Sequence, residues 1–193
     1  MRKKNRKNKK EKELGFKIIE ILKYFFDNPY SKIYIRELAR KLKISSSIVK
    51  KYVDFLLKEK ILIEEREANL KYVKANLNNP FFRQIKIAYN VKKILDSGLI
   101  DYLINSIPTV SSIVLFGSTA RGLDDYRSDI DILVIGKEKL ISLSKYEEKL
   151  KREINLHIFS WANWKLKAKK DSPFYYEVII YGIPLYGELP IVK

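Results

Sequence analysis

The chain has no cysteine, one methionine and one histidine among its 193 residues. Disulfides, thiolate zinc sites and cysteine nucleophiles are therefore excluded, and cysteine usage says nothing about redox compartment. No apolar run approaches the roughly 18 residues of a membrane span, and no apolar signal core follows the charged N-terminus, so no membrane association is expected and a cytoplasmic protein is the default. Acidic residues are also in short supply: 23 Asp and Glu face 39 Lys and Arg, a net charge of +16. The excess is uneven. Residues 1–80 hold 22 basic against 10 acidic residues, +12, whereas residues 81–193 hold 17 against 13, +4. A polyanion-binding first part would show this asymmetry, and so would a cationic solvated surface. What is plentiful is apolar residue, 46% of the chain, enough to pack one ordinary domain or two small ones.

Residues 1–13 carry eight basic side chains against Glu11 and Glu13 and are expected to form a disordered basic tail. Beyond them Leu14, Ile18, Ile21, Leu22 and Phe25 recur at helical spacing up to Asp27-Asn28-Pro29, where Asn-Pro favours a turn. The β-prone Ile33-Tyr34-Ile35 follows, then a short helix over Arg36 to Leu42. A third helix, capped by Ser45 or Ser46, runs to about Lys60 with Ile48, Val49, Tyr52, Val53, Leu56 and Leu57 inward. The stretches Ile61 to Arg66 and Lys71 to Ala75 alternate and read as a β-hairpin around Glu67-Ala68-Asn69-Leu70. Over residues 14–78 the segment resembles the winged helix-turn-helix family of archaeal and bacterial transcription regulators. The resemblance implies contact with duplex DNA by Ser46, Ser47, Lys50 and Lys51 on the recognition helix, with Arg36, Arg40 and Lys43 nearer the phosphates. Glu64, Glu65 and Glu67 in the hairpin speak against it, and protein contact or homodimer formation is the other use of such a module.

Asn79-Pro80 closes this module, and residues 79–108 read as a connector of two helices, Phe81 to Leu95 and Leu99 to Ile107. The third segment, residues 109–193, carries the chemistry. Ser111 to Phe116 is a short apolar strand ending in Gly117-Ser118, a junction at which a helix can open with free N–H groups toward a polyphosphate. Farther on, Ser128-Asp129-Ile130-Asp131-Ile132 sets two carboxylates on one face of a strand, with Cα atoms roughly 6.6 Å apart, and Ile130 and Ile132 on the other. Two such anions repel unless a cation lies between them, and oxygen-only donors suit Mg²⁺ or Mn²⁺. The alternative is a solvated Asp-x-Asp at a strand edge. A Walker A reading fails because Leu123 stands where that motif needs lysine. A Ser118–His157–Asp hydrolytic triad lacks the Gly-x-Ser-x-Gly elbow.

Taken together, the Gly-Ser, the Asp-x-Asp ten residues later and the closing strand Ile183-Pro184-Leu185-Tyr186-Gly187 resemble the minimal nucleotidyltransferases of the DNA polymerase β superfamily. The resemblance implies an α/β (α+β) domain with a mixed sheet and transfer of a nucleoside monophosphate from an NTP, ATP being expected, to a hydroxyl acceptor. In that reading Gly117, Ser118 and Arg121 hold the nucleotide, while Asp129 and Asp131 are the catalytic metal ligands. Arg121 and Arg127 have structural ion pairs as their other role. The acceptor is a protein hydroxyl, as in transferases that act as antitoxins on a toxin, or a nucleic-acid end, or a small alcohol.

Such domains take a third carboxylate from a later strand, here Glu153-Ile154-Asn155-Leu156-His157-Ile158-Phe159. Counting back from a helix cap at Ser160 selects His157. Asn155 is the second candidate, and Glu153 the only one that is a carboxylate. His157 is a base, a weak metal ligand or a hydrogen-bonded strand residue. Helices are also expected over Leu143 to Arg152 and Trp161 to Lys170, and Trp161, Trp164, Phe174, Tyr175 and Tyr176 either stack a base or fill a core. The missing acid leaves a rival function: a DNA-binding regulator whose transferase-like domain binds nucleotide or a partner without turnover.

Overall fold

The computed structural model describes residues 17–68 and 70–192. The basic tail expected over 1–13 and Asn69 of the expected turn lie outside the described residues. The chain divides into two compact units, Met1–Phe82 and Arg83–Lys193.

In the first unit, helix α1, described over 17–27, buries Ile21, Phe25 and Phe26. Helix α2 (Ile35–Leu42) ends on Lys43 in the left-handed region, whose N–H donates back to Ala39 and Arg40. Helix α3 (Ser46–Lys58) begins after Ser45, which holds extended N-cap geometry without a side-chain cap bond, and buries Val49, Tyr52, Val53 and Leu56. Strands β1 (Leu62–Glu67) and β2 (Leu70–Ala75) pair antiparallel, Glu67 opposite Leu70. The connection is thus two residues rather than the four expected. Ala68 takes a positive φ of 51°, a conformation that alanine does not advertise in a sequence. Ile33 bridges to Val73 with bonds of 3.0 and 2.9 Å in the two directions, so the β-prone residues before α2 extend the hairpin by one contact.

Helix α4 (Pro80–Ser97) leads into the second unit and is followed by α5 (Leu99–Ser106). Then come β3 (Ser112–Phe116), the short α6 (Gly117–Ala120), β4 (Ile130–Ile135), α7 (Ser144–Leu150), β5 (Ile154–Phe159), α8 (Trp161–Lys170), α9 (Ser172–Tyr181) and β6 (Ile183–Gly187). The sheet order is β5-β4-β3-β6; β4 and β5 are parallel, the other pairs antiparallel. The α/β class and the mixed sheet expected from the sequence are both present.

Strand alternation sends Ile113, Leu115, Ile130, Ile132 and Val134 to one face, where they meet Ile94, Leu99, Leu103 and Leu150. Val114, Phe116, Leu133 and Ile135 go to the other, against Trp164 and Val178. A sheet covered on both faces explains why β4 reads as an unbroken apolar run after Asp131. Full burial of one such side chain is worth about 1.5–3 kcal/mol. Trp164 is fully buried, and its indole N–H donates to the Pro190 carbonyl at 2.7 Å, tying the chain end to the core. Helix α9 was not legible in the sequence. Ser172 to Tyr181 is apolar nearly all round, without helical period, and starts where the Asp171 carboxylate accepts from the Phe174 N–H.

Candidate active site

Four elements end at one edge of the sheet: the last residue of β3, the start of α6, the first residues of β4 and those of β5. Phe116 lies opposite Asp131, and Asp131 opposite Asn155. Antiparallel pairing of β3 with β4 therefore delivers the Gly-Ser junction to the carboxylates, and parallel pairing of β4 with β5 delivers Asn155. Gly117 has φ +69°, and a Cβ built on it would stand 2.2 Å from Asp131 Oδ2. Only glycine lets the backbone lie against that carboxylate. In a helix start such as Gly117-Ser118-Thr119 the first N–H groups have no intrahelical acceptor, so the junction presents donors beside an acid.

Asp131 lies on the face of the sheet that holds Leu133 and is partly buried; Asp129, just before β4, is exposed. Burial is the main influence that holds the Asp131 carboxyl above its ordinary range. The charge of Asp129 adds to it, while the hydrogen bond from Asn155 opposes it. Asn155 Nδ2 donates to Asp131 Oδ1 at 3.1 Å.

Of the three residues considered for the third position, Asn155 is thus the one that meets Asp131. His157 lies two residues along, opposite Leu133, with its ring 5.6 Å from that of Phe116 and 5.4 Å from that of Phe174. Residues two apart share one face of a strand, so alternation does not choose between Asn155 and His157; the register sets Asn155 opposite Asp131 and His157 opposite Leu133. Burial lowers the His157 pKa, Lys167 adds to the effect, and Asp131 opposes it. Glu153 precedes β5; its carbonyl accepts from the Ile130 N–H at 2.9 Å, and the residue is exposed. Among the described residues no hydrogen bond joins Ser118 to His157.

The donors available to a metal are the two aspartates and the Asn155 amide; no cluster of three or more His, Cys, Asp or Glu occurs among the described residues. This set fits Mg²⁺ or Mn²⁺, which protein sites commonly hold through one or two carboxylates plus substrate phosphates. Arg121 stands 3.7 Å from Glu177 and over the Tyr181 ring at 4.6 Å, and remains 41% exposed. Arg127 is exposed over the Tyr126 ring, while its N–H donates to Asp125 Oδ1 at 2.9 Å, closing the turn before Ser128. Trp164, Phe174 and Tyr175 belong to the core, whereas Trp161 and Tyr176 are exposed.

Sequence reasoning missed what stands behind Asp129. Arg152, only 9% exposed, bonds Asp124 at 2.8 Å, and Asp124, 2% exposed, also bonds Lys86 at 2.8 Å and accepts from Asn90 at 2.9 Å. No local pattern announces these residues, which come from three separate segments.

In the first unit Ser46, Ser47, Lys50 and Lys51 all lie exposed on α3. Each hairpin glutamate is paired: Glu64 with Arg66 at 2.8 Å and Lys71 at 3.6 Å, Glu65 with Lys32 at 3.0 Å and with Lys74, Glu67 with Lys32. No helix among the described residues is long and apolar enough to cross a membrane.

Residues 97–179 match the Nucleotidyltransferase domain family, which bears out the expected transferase domain in the C-terminal half. Among solved structures the chain is similar to a toxin–antitoxin crystallised with AMP-PNP, at 25% identity and TM-score 0.36, over 51% of this chain and 74% of that one. It is also similar to two mutants of the toxin–antitoxin MntA–HpeT, one at 25% identity and TM-score 0.35 over 48% and 72% of the two chains. The other stands at 22% identity and 0.37 over 48% and 73%. No curated protein matches the sequence.

Proposed function

We propose that the second unit transfers a nucleoside monophosphate from an NTP, ATP by preference, to a hydroxyl acceptor in the presence of Mg²⁺ or Mn²⁺. The observation that carries this reading is the contact of Gly117 with Asp131: a glycine that any Cβ would drive into the carboxylate places backbone donors and paired acids side by side. Gly117 and Ser118 hold the triphosphate, with Arg121 available once its Glu177 contact opens. Asp129 and Asp131 hold the metal. When bound, the metal neutralises the triphosphate and stabilises the attacking and leaving oxygens. In the transfer the acceptor hydroxyl oxygen bonds the α-phosphorus and gives up its proton to solvent, while the bond from that phosphorus to the bridging oxygen breaks and pyrophosphate leaves with the electron pair. Asn155 keeps Asp131 in one orientation, but an amide supplies neither negative charge nor a base.

Asn155 therefore supports a second reading, a domain that binds nucleotide or a partner without turnover. In either case we infer that the first unit is a winged helix that binds duplex DNA through Ser46, Ser47, Lys50 and Lys51. The acidic hairpin is no obstacle to that role: with its glutamates paired, Lys32, Arg66, Lys71 and Lys74 outnumber Glu64, Glu65 and Glu67. A protein hydroxyl, as on a toxin, is one acceptor class, and homodimer contact one alternative use of the helical module.

The test is labelled NTP with Mg²⁺ or Mn²⁺ and protein, nucleic-acid and small-alcohol acceptors. Label transfer or pyrophosphate release establishes the enzyme, and saturable binding without turnover establishes the regulator. In calorimetry Asp129→Asn and Asp131→Asn each weaken metal-dependent NTP binding while folding persists. Unchanged affinity in both variants removes the pair from the site.

A further inference from the structure

Asp129 lies outside the β4 ladder and is exposed, yet the backbone that carries it is held by a largely buried cation. Arg152 reaches it from the loop between α7 and β5. One terminal nitrogen, Nη2, donates to the Asp129 carbonyl at 2.9 Å and to Thr119 Oγ1 at 2.7 Å; Nε donates to the Ser128 carbonyl; Nη1 donates to Asp124 Oδ2 at 2.8 Å. Thr119 belongs to α6, two residues after Gly117, and its own hydroxyl also donates to the Asp129 carbonyl at 3.2 Å. A single guanidinium therefore bonds both halves of the site, the phosphate-facing helix start and the acidic segment.

The guanidinium is itself held. Asp124, 2% exposed, accepts from Lys86 Nζ and from Asn90 Nδ2 through its other oxygen, and Asn90 donates again to the Thr119 carbonyl at 3.3 Å. All these residues lie in the second unit. The Arg152 charge also acts on Asp131, favouring its ionised form. A buried charge is retained where its hydrogen bonds are satisfied and its field is useful. Here four bonds of fixed fork geometry are used, which lysine cannot reproduce with one tetrahedral ammonium.

We propose that Arg152, oriented by Asp124 and through it by Lys86 and Asn90, is a positioning residue that sets the spacing between the phosphate-facing Gly117–Thr119 turn and the Asp129–Asp131 metal pair. The inference rests on the reading of that site as a nucleotide and metal site. Arg152 does not touch the ligand. It acts by holding Asp129 and Thr119 to one frame, so that metal and triphosphate meet donors already in place.

The experiment uses the full chain. Mn²⁺ binding is followed by electron paramagnetic resonance, with and without a non-hydrolysable ATP analogue, in wild type, Arg152→Lys, Thr119→Val and the double variant. Amide hydrogen exchange is measured over residues 117–131. Arg152→Lys is expected to weaken Mn²⁺ binding in the nucleotide complex by about ten- to a hundredfold, the cost typical of removing a group that orients a ligand, and to speed exchange at 117–131. Thr119→Val weakens it less. The double variant falls short of the product of the two effects, because both remove parts of one link. Mn²⁺ affinity unchanged in Arg152→Lys while the wild type binds overturns the positioning role, whatever the exchange shows. A wild type that binds neither Mn²⁺ nor analogue overturns the reading of the site itself, and the positioning role with it. If Arg152→Lys fails to fold, Thr119→Val, which keeps every buried charge, decides: affinity unchanged there sinks the proposal, and reduced affinity supports it.

Discussion

At the scale of single residues, the proposed chemistry turns on Asn155. Its amide meets Asp131 at 3.1 Å where a third carboxylate would complete the acidic set. Asn155→Asp adds a negative charge at the same position with nearly the same shape. It is expected to raise metal-dependent transfer, or to create it, by at least tenfold, equivalent to about 1.4 kcal/mol, in the labelled-NTP assay. His157→Asp, two residues along against the Phe116 and Phe174 rings, is expected to do neither. The reverse ranking places the third position at His157.

His157 also supplies a pH-dependent contribution to stability. Burial holds its folded pKa below the ordinary 6.5, so the unfolded chain takes up the proton first. The contribution is fully present above about pH 6.5 and is lost as pH falls through that value toward the folded pKa. Asp131, held above its ordinary 3.8, acts in the opposite sense, its contribution being lost as pH rises. In metal-free protein the urea midpoint should fall between pH 7.5 and pH 5.5, and His157→Phe should flatten that slope. A slope unchanged in the variant excludes His157 as its source.

At the scale of elements, cap chemistry can be separated from site chemistry. Ser160 Oγ accepts from the Asn163 N–H at 3.2 Å and opens α8 at the end of β5 opposite Asn155. Ser160→Ala should cost about 1 kcal/mol and lower Tm by about 2–4 °C, with nucleotide and Mn²⁺ affinities unchanged. A loss of ligand affinity equal to that of the Arg152 variants would mean that the two ends of β5 are coupled. Elements differ in how far the sequence announces them. Helices α2 and α3 carry an apolar stripe and polar remainder, and β4 is an apolar run after an acid. Helix α9 lacks period because it packs into the core on one side and keeps Tyr176 and Ile180 exposed on the other, and the two-residue turn of the first unit hides behind Ala68.

At the scale of the whole molecule, the charge is unevenly divided. The +12 of residues 1–80 predicts that the full chain binds duplex DNA with an association constant that falls steeply with salt, because bound phosphates release counterions. Lys50→Ala with Lys51→Ala is expected to weaken binding and to reduce the slope of log K against log salt by about 2, with NTP binding unchanged. Binding that is absent at low ionic strength, or a slope that the double variant leaves alone, assigns α3 to protein contact instead.

The Gly117-Ser118 junction and the Asp129, Asp131 pair were legible in the amino-acid sequence because each is a local pattern, set by strand period and by the donors that a helix start leaves open. The charge asymmetry and the helix-and-hairpin order of the first unit were legible for the same reason. What only the tertiary structure decided are the relations between segments distant along the chain. Parallel register of β5 on β4 sets Asn155, and not His157, opposite Asp131, a relation that a period of two cannot supply. Packing brings Lys86, Asn90, Asp124 and Arg152 together from three segments, because a buried cation is stable only where partners arrive from elsewhere to satisfy it.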